Sequence, residues 1–334
     1  MRRIIGIGET VLDVIFRDDR PQDAIPGGST FNAMISLGRM MKKDPAGAPV
    51  MMVTEVGDDH VGDIIVNFME RNGVLTSAVT RNPGTQSHLS LAFLNSACDA
   101  QYEFYKDHAN AGLSAQKVDR VEFGPEDIVL YGSFFAVNPV IRESTRKLLQ
   151  KARGAGAILY YDINFRANHI KDLPLIKDNI FENIALADFV RGSAEDFRYL
   201  FGTDDGREIY ESHIRPLCRN FILTRGADST QVFQDDTFLE FPVREIDPVS
   251  TIGAGDNFNA GFIYGLVRNG VAACPLPDQA QKCSTGRIPG SGLERGSALL
   301  PDKTLMRSLV AVASAFSAEV CRSIYNYVPE DFEV

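Results

Sequence analysis

The residues best placed to do chemistry lie in the run S-T-I-G-A-G-D-N-F-N-A-G-F, which begins at Ser250. Its glycines allow close approach of a ligand, so that the N–H groups of Gly253, Ala254 and Gly255 can point at one anion. The small-residue segment that follows predicts a helix whose N-terminus adds partial positive charge at the same place, which suits a phosphate. A carboxylate is out of place beside an anion. We therefore interpret Asp256 as a proton acceptor or metal neighbour, with helix capping as the structural alternative.

A second glycine-rich turn, P-G-G-S-T-F-N, begins at residue 26 and leads into a helix-like run. The pair Gly27 and Gly28 lets a ligand lie against the main chain, and Asn32 falls in the first turn of the expected helix. Ser29 or Thr30 can satisfy the capping of that helix, which leaves the Asn32 amide for a ligand. We therefore predict that Gly27, Gly28 and Asn32 bind a polar small molecule.

Asp13 is an acidic residue in an otherwise apolar, strand-like run from Thr10 to Phe16. A carboxylate in such a run is either hydrogen-bonded within the protein or turned toward a polar ligand. A sugar hydroxyl is a natural donor to it. The sequence leaves both interpretations open, and the functional one makes Asp13 a substrate-binding residue.

Polar residues also follow short apolar runs in the sequences D-I-N-F-R from residue 162, S-A-E-D from residue 193 and T-R-G from residue 224. Each set has a structural interpretation, as a turn network or a helix cap. In the functional interpretation the arginine contacts a phosphate or a nucleotide, the hydroxyl and bare backbone of T-R-G contact a nucleotide, and Asp196 supports a water shell around Mg²⁺. Arg166 is also a substrate-binding candidate, and the nucleotide-binding candidates are Asn164, Asp196, Thr224, Gly226 and, from the first turn, Thr251.

These residues need a scaffold that brings distant segments together. Short apolar runs at 128–131, 158–162, 189–191 and 221–224 alternate with helical segments, which is typical of an α/β fold with a mostly parallel central sheet and helices on both faces. Ligands of such sheets bind at the carboxyl ends of the strands, where the polar sets lie.

The whole chain, residues 1–334, is predicted to form one domain. Partial alternation in 89–95 and 101–106 predicts a β-hairpin, and we expect a small β lid formed by about residues 10–26 and 85–107. A last helix is predicted from about residue 303 to 325. The stretch 272–302 is long for a connection and rich in Gly, Pro and Ser, which favours a loop over the nucleotide.

Composition argues against several classes of protein. The formal net charge of -10, with no basic patch, disfavours nucleic acid and anionic membranes as partners. Five scattered cysteines without a C-x-x-C pair indicate neither a disulfide framework nor a zinc site, so a cytoplasmic location is expected. No run approaches the ~18 apolar residues of a membrane span, no targeting segment is expected, and the histidines lack metal-binding spacing.

Together, the motifs resemble those of the ribokinase-like (PfkB) carbohydrate kinases over nearly the whole chain. The family's Gly-Gly-x-x-x-Asn element matches Gly27, Gly28 and Asn32, and its Thr-x-Gly-Ala-Gly-Asp element matches the run from Thr251 to Asp256. The sequences G-D-D-x-x-G from residue 57 and S-A-E-D from residue 193 also resemble family elements. D-I-N-F-R from residue 162 is similar to the fructokinase and 2-keto-3-deoxygluconate kinase branch, and the segment 85–105 is similar to the fructokinase lid.

The resemblance implies transfer of the γ-phosphoryl group of ATP to a sugar hydroxymethyl group, with ATP and Mg²⁺ required. Asp256 would be the general base, and the amides from Gly253 to Asp256 would form the anion hole. Asp13, Gly28 and Asn32 would hold the other sugar hydroxyls, while the lid excludes water.

Two residues depart from the family pattern. Ser250 stands where the family has an aspartate associated with a monovalent-cation site, so the resemblance does not carry potassium activation over to this chain. Asp196 is one methylene shorter than the family's glutamate, which changes its reach toward Mg²⁺ through water.

A fructokinase-like activity is the leading prediction, and a 2-keto-3-deoxygluconate kinase, a nucleoside kinase and a non-catalytic sugar- or nucleotide-binding protein are the alternatives. An acid substrate needs a cationic partner, for which Arg39, Lys106 and Arg166 are candidates. A dinucleotide-dependent dehydrogenase would need a third glycine where Val11 stands. An exposed lid hairpin leaves a homodimer through the lid open, and the sequence does not decide it.

Overall fold

The computed structural model describes residues 1–45, 47–94, 100–105, 113, 118–271 and 301–334. The strands in these ranges are β1 (Ile4–Ile7), β2 (Val11–Arg17), β3 (Arg20–Gly27), β4 (Val50–Gly57), β5 (Val74–Leu75), β6 (Val79–Asn82), β7 (Leu89–Leu94), β8 (Ala100–Tyr105), β9 (Ile128–Gly132), β10 (Ile158–Asp162), β11 (Phe189–Ser193), β12 (Asn220–Thr224), β13 (Ser229–Gln234) and β14 (Thr237–Pro242).

The α-helices in the same ranges are α1 (Ser29–Lys43), α2 (His60–Arg71), α3 (Ser133–Val137), α4 (Arg142–Gly154), α5 (Leu173–Leu186), α6 (Ala194–Phe201), α7 (Gly206–Ile209), α8 (Ala254–Arg268) and α9 (Lys303–Val320). A 3₁₀ helix, Ala167–Asp172, precedes α5, and a π-helical turn, Tyr210–Ile214, follows α7.

The main sheet has ten strands in the order β14-β13-β12-β11-β10-β9-β1-β4-β5, and β6 pairs with β4. All neighbours from β12 to β5 are parallel, whereas β13 and β14 are antiparallel. β1 is central, because Ile4 pairs with Val50 on one side and with Ile128 on the other. The predicted α/β fold with a mostly parallel sheet is therefore confirmed.

Alternate residues of the central strands pack against opposite layers of helices. Ile4 belongs to a core that includes Phe31 of α1 and Phe262 of α8. Its neighbour Ile5 belongs to a second core, with Leu148 of α4 and Ile184 of α5. A strand buried on both faces reads as a continuous apolar run, which explains why these strands showed no alternation in the sequence.

A second, four-stranded sheet has the order β3-β2-β7-β8, as the predicted small β element requires. β2 pairs antiparallel with β3 and parallel with β7, and β7 and β8 form the predicted hairpin. The hairpin turn at 95–99 and lid residues 106 and 107 lie outside the described residues. The small sheet is formed by the predicted lid segments, and its action as a lid stays a prediction.

The last helix is shorter than the sequence indicated. It ends at Val320 and not near residue 325. The reason is that the carbonyl group of Cys321, which a longer helix would use for its next turn, bonds to a different segment of the chain. The Cys321 oxygen accepts hydrogen bonds from the N–H groups of Val249 (2.8 Å) and Ser250 (3.3 Å), which precede the glycine turn. The predicted loop at 272–302 lies outside the described residues except for Pro301 and Asp302.

Cys218 and Cys321 are buried thiols that are not joined in a disulfide, and the other three cysteines lie outside the described ranges. No helix in the described part of the chain is long and apolar enough to cross a membrane.

Candidate active site

The glycine turn at 253–255 begins α8 at the carboxyl edge of the main sheet. Gly253 is the N-cap residue, with a φ of 78° that favours glycine. The space is also limited, because a Cβ at Gly253 would lie 3.0 Å from the Asn326 carbonyl oxygen. Asp256 is in the first turn of α8 and is not its N-cap, so the capping interpretation of Asp256 is wrong.

The carboxylate of Asp256 is the meeting point of three sequence motifs. It is 5% exposed. Its Oδ1 accepts a hydrogen bond from Ser29 Oγ (2.9 Å), and its Oδ2 accepts one from Asn32 Nδ2 (2.9 Å). Asn164 Nδ2 lies 3.4 Å from Oδ1. Burial raises the pKa of Asp256, and the hydrogen bond from Asn32 opposes that rise.

Ser29 has a different role from the one the sequence suggested. The N-cap of α1 is Gly28, and no side chain caps this helix. The Ser29 hydroxyl instead joins the Asp256 network, donating to the aspartate and accepting from Asn164 Nδ2 (2.8 Å). Small hydroxyl residues next to a glycine turn are so often caps that the sequence alone favoured that role.

Asn164 reaches Asp256 from the end of β10 by means of an unusual backbone conformation, with a φ of 39°. Non-glycine residues in this region carry strain, which is concentrated at functional sites. The Asn164 Oδ1 accepts from Arg166 Nε (3.2 Å). The exposed Arg166 guanidinium is close enough to lower the pKa of both Asp13 and Asp256, and it therefore lies within electrostatic reach of both carboxylates.

Asp13 lies on β2 of the small sheet and is 8% exposed. Ser90 Oγ of β7 donates to its Oδ1, and burial raises the pKa of Asp13 to about 6. A Cβ at Gly27 would collide with the Asp13 carboxylate and would lie 3.8 Å from Asn32 Oδ1. Asn32 Oδ1 is itself buried without a hydrogen-bond partner. The predicted substrate residues Asp13, Gly27 and Asn32 are therefore brought together.

Gly28 belongs to the same corner and has a φ of 124°. A Cβ there would lie 2.5 Å from the Glu9 carbonyl oxygen. A cavity of about 180 Å³ opens from Asp13 between the small sheet and the segments 249–252 and 324–326. Ser250 lines this cavity, and its Oγ accepts from the N–H of Ile252 (3.2 Å).

The predicted nucleotide residues lie along the same sheet edge, but their polar groups bond to other protein groups. Asp196 accepts from the N–H groups of Phe165 (2.7 Å) and Ser193 (2.6 Å), and burial raises its pKa to about 6. Thr224 Oγ1 accepts from Arg191 Nη2 (2.6 Å). Their nucleotide role, and a role for Asp196 in holding a metal through water, stay predictions.

The two remaining nucleotide candidates, Gly226 and Thr251, are in turns. Gly226 has a φ of 58° in the connection from β12 to β13. Thr251 is exposed, and its carbonyl oxygen accepts from the N–H of Ala254 (3.3 Å). A Cβ built at Gly226 would have no protein atom beyond its chain neighbours within 4 Å, and the nucleotide role of both residues stays a prediction.

Arg191 is a site residue that the sequence reading missed. It is 5% exposed, and its Nη1 contacts Asp162 Oδ1 at 3.0 Å. The second Asp162 oxygen accepts from Asn259 Nδ2 (2.8 Å) of α8. A signal was available, since an arginine inside the apolar run F-V-R-G requires a buried acidic partner.

The G-D-D-x-x-G sequence holds the start of β7. Asp59 is the N-cap of α2 and accepts from the Gly62 N–H (2.7 Å). The same carboxylate accepts from the N–H (2.8 Å) and Oγ (2.7 Å) of Ser87, and Ser87 Oγ accepts from the Gly57 N–H (2.9 Å). This motif therefore ties the main sheet to the segment that enters the small sheet.

The described side chains do not form a protein cage for a metal ion, since no group of three His, Cys, Asp or Glu residues among them is arranged to hold one. Mg²⁺ seldom has such a cage in kinases, because it keeps several waters and binds substrate phosphates. A Mg²⁺ ion at this edge therefore stays a prediction.

The sheet, the glycine turn and the buried aspartate define the chain as a sugar kinase of the ribokinase-like fold. The pfkB family of carbohydrate kinases matches residues 1–274, and the chain belongs to that family. It is therefore a phosphotransferase that acts on a sugar hydroxyl group.

Relatives with known names agree on the class. The chain is similar to a fructokinase of Rhizobium leguminosarum bv. trifolii, with 28% identity over 79% of this chain and 79% of the relative. It is also similar to the aminoimidazole riboside kinase of Salmonella typhimurium, with 24% identity over 80% and 82% of the two chains.

Solved structures confirm the fold. Aminoimidazole riboside kinase from Salmonella enterica, complexed with aminoimidazole riboside and an ATP analogue, superposes with a TM-score of 0.77 at 20% identity, covering 99% of this chain and 97% of that chain. A Vibrio cholerae fructokinase bound to fructose, ADP and potassium ion gives a TM-score of 0.76 at 18% identity, covering 97% and 94%.

Proposed function

We propose that the chain is an ATP-dependent, fructokinase-like sugar kinase in which Asp256 is the general base and the amides from Gly253 to Asp256 form the anion hole. The observation that carries this proposal is the environment of Asp256. A buried carboxylate, oriented by Ser29 and Asn32, stands in the first turn of a helix beside a glycine turn. Helix N-termini bind phosphate, so base and anion site adjoin.

The base is suited to its task by its pKa. Burial raises the pKa of Asp256, which makes the carboxylate a stronger proton acceptor than an exposed aspartate. The hydrogen bonds from Ser29 and Asn32 hold the ionised form in one orientation. In the reaction the acceptor hydroxyl gives its proton to Asp256 as its oxygen bonds to the γ-phosphorus. The bond between that phosphorus and the ADP oxygen breaks, and ADP leaves.

The anion hole acts on charge that develops during transfer. Phosphoryl transfer needs little covalent help from the protein, and positioning together with neutralisation of the equatorial oxygens dominates. The first-turn amides of α8 and the partial positive charge of its N-terminus supply this. Mg²⁺, when bound with ATP, would neutralise phosphate charge.

The acceptor is held by Asp13 and Asn32. Asn32 Oδ1 is buried without a partner, and Asp13 lines the cavity between the small sheet and the main body. Sugar hydroxyls are donors that satisfy both acceptors. The fructokinase relatives support a ketose as the acceptor.

A keto-deoxy sugar acid is the second candidate, because Arg166 provides a cationic partner. Its guanidinium is near enough to lower the pKa of Asp13 and of Asp256. Of the other cations considered, Arg39 is bonded to Asn72 Oδ1 (2.6 Å) and the Val328 carbonyl (2.7 Å), and Lys106 lies outside the described residues.

The acceptor is tested by a coupled assay of ADP release from purified protein with ATP, Mg²⁺ and a panel of ketoses, keto-deoxy sugar acids and nucleosides. We expect turnover with a ketose, and turnover restricted to a keto-deoxy acid would select the second candidate. Failure to phosphorylate any member of the panel would contradict the proposal and favour a protein that binds ligands without turnover.

The base is tested by Asp256→Asn. We expect kcat to fall by about 10² to 10⁴, with the Kd of ATP little changed, because the substitution leaves the backbone amides of the proposed anion hole in place. Asp188→Asn is the matched control. Burial also raises the pKa of Asp188 to about 6, but its Oδ2 accepts from the Leu159 N–H (2.8 Å) beside the start of β11, away from the glycine turn. Near-normal turnover in Asp256→Asn would sink the assignment.

A further inference from the structure

A buried guanidinium lies directly beneath the proposed anion hole. Arg191 projects from the carboxyl end of β11 and joins its two neighbouring strands. Nη1 contacts Asp162 Oδ1 of β10 at 3.0 Å, and Nη2 donates to Thr224 Oγ1 of β12 at 2.6 Å. One side chain thus cross-links three adjacent strand ends at the edge where the nucleotide candidates lie.

The glycine turn packs against the edge of this guanidinium that carries Nη1 and Nη2. A Cβ at Gly255 would lie 2.8 Å from Arg191 Nη2 and 2.9 Å from Nη1, and real Cβ atoms do not approach that closely. Gly253 needs to be glycine partly for its positive φ, whereas Gly255 does not have a positive φ. The requirement for glycine at position 255 is therefore one of space, and Arg191 is the group that fills the space.

The Arg191–Asp162 pair also holds the helix that carries the base. Asp162 Oδ2 accepts from Asn259 Nδ2 (2.8 Å), and Asn259 lies one turn after Asp256 on α8. The first two turns of α8 are thus fixed at two places, through the contact of Gly255 with Arg191 and through the bond of Asn259 to Asp162.

We propose that Arg191 is a positioning residue for phosphoryl transfer, whose guanidinium sets the place and direction of the Gly255 and Asp256 amides. This inference rests on the proposed function of the glycine turn. A misplacement of about 1 Å can cost roughly 10²-fold in rate. A buried ion pair, by contrast, contributes little net stability and is often replaceable by apolar side chains. Arg191 therefore affects the rate of the chemical step more than the stability of the fold.

The variants are chosen so that the fold survives. Removing Arg191 alone would leave Asp162 as an unpaired buried charge, so the test is the double variant Arg191→Met with Asp162→Asn, in which the new amide still accepts from Asn259. Arg191→Lys keeps the charge but loses the planar guanidinium group, whose two Nη atoms bond to different strands. Arg142→Lys is the matched control, since the buried Arg142 on α4 also pairs with a carboxylate, that of the half-buried Glu182 at 2.5 Å, and lies far from the glycine turn.

We expect kcat to fall by about 10 to 100-fold in the double variant and about 10-fold in Arg191→Lys. The KM of the acceptor and the Kd of ADP, measured by calorimetry, should stay within about threefold, because Asp13 and Asn32 are untouched and ADP lacks the transferred phosphoryl group. Melting temperatures of both variants should stay near that of the wild type. Arg142→Lys should change the melting temperature no more than Arg191→Lys does, and it should leave kcat unaltered.

A coupling experiment separates positioning from a general loss of packing. Gly255→Ala places a methyl group against the guanidinium and should lower kcat by at least about 100-fold in the wild type. In the Arg191→Lys background the two colliding nitrogens are gone, so the further loss from Gly255→Ala should be about tenfold smaller. The inference would be overturned if Gly255→Ala lowered kcat by the same factor in the wild type and in the Arg191→Lys background. A wild-type kcat in the variant that combines Arg191→Met with Asp162→Asn would also overturn it.

Asp256→Asn tests the proposed function separately from the role of Arg191. If Asp256→Asn keeps full activity, the assignment of the site fails and the Arg191 inference fails with it. If Asp256→Asn is inactive and the Arg191 variants are fully active, only the positioning role is refuted.

Discussion

The carboxylate of Asp13 is under two opposing influences. Burial raises its pKa to about 6, and the hydrogen bond from the Ser90 hydroxyl stabilises the ionised form and opposes that rise. The proposed acceptor site needs the ionised form. Because the charged form is lost as pH falls through the pKa, kcat/KM for the acceptor should decline on the acid side near pH 6.

Ser90→Ala should move this acid limb to higher pH. Without the hydroxyl donor the pKa of Asp13 rises further, and a hydrogen bond to a charged group corresponds to a displacement of about 1 pH unit. The measurement is the pH profile of kcat/KM for the acceptor between pH 5 and about 8. Ser229→Ala removes a hydroxyl that bonds Glu240 Oε1 (2.9 Å) on the β13–β14 hairpin and should leave the profile in place. A limb that stays put or moves to lower pH in Ser90→Ala would contradict the role of Asp13.

The sequence indicated individual residues of the candidate site, but it did not indicate which residues would be hydrogen-bonded to one another. Asp256 was identifiable because a carboxylate beside an anion turn lacks a stability reason, and Asp13 because it interrupts an apolar run. Ser29 was assigned to capping because a hydroxyl after two glycines has a local partner available, and only the fold brings Asp256, 227 positions away, within 2.9 Å. Arg191 was hidden for a similar reason, since its partners come from neighbouring strands.

At the level of elements, the contact between α2 and the start of β7 carries a testable coupling. Asp59 serves two segments at once, capping α2 through Gly62 and holding Ser87 just before β7. β7 contributes Ser90 to the Asp13 site. These bonds connect the proposed acceptor site to a helix cap in the main body.

Asp59→Ala should therefore affect both stability and acceptor binding. We expect a loss of about 1 to 2 kcal/mol from the cap and a rise of about 3 to 10-fold in the acceptor KM as the start of β7 loosens. Asp302→Ala removes a comparable cap, which accepts from the N–H groups of Thr304 (2.8 Å) and Leu305 (2.8 Å) at the start of α9. That control should lose stability without a change in KM. Equal KM effects in the two variants would refute a specific link between Asp59 and the site.

The order of elements was predictable because strands that are buried on both faces have continuous apolar sequences. The end of the last helix was not, because the Cys321 carbonyl bonds to Val249 and Ser250, a contact with no local sequence signature. Hydrophobic periodicity reports which residues are buried, and it does not report where a non-local hydrogen bond stops a helix.

For the molecule as a whole, the glycine turn is supported by both α1 and the C-terminal segment. Asn257 Nδ2 donates to the carbonyl groups of Gly253 (2.8 Å) and Asn326 (2.8 Å), which joins the glycine turn to the C-terminal segment. The Asn257 Oδ1 accepts from Ser36 Oγ (2.5 Å) of α1, and Ser36 Oγ accepts from the Val328 N–H (3.1 Å). The family match ends at residue 274, so part of this support comes from beyond it.

Ser36→Ala tests whether that junction matters for catalysis. Ser36 is fully buried, and its loss leaves the Val328 N–H and the Asn257 oxygen each without this partner, at a cost of about 1 to 3 kcal/mol. Because Asn257 also holds the Gly253 carbonyl, we expect kcat to fall about tenfold while the acceptor KM stays constant, since Asp13 and Asn32 keep their places. Thr145→Val removes another fully buried hydroxyl, which donates only to the Ile141 carbonyl (3.1 Å) within α4, and it should lower the melting temperature without lowering kcat. Equal retention of kcat in both variants, measured at a temperature where both are folded, would show that the C-terminal segment stabilises the fold without positioning the turn.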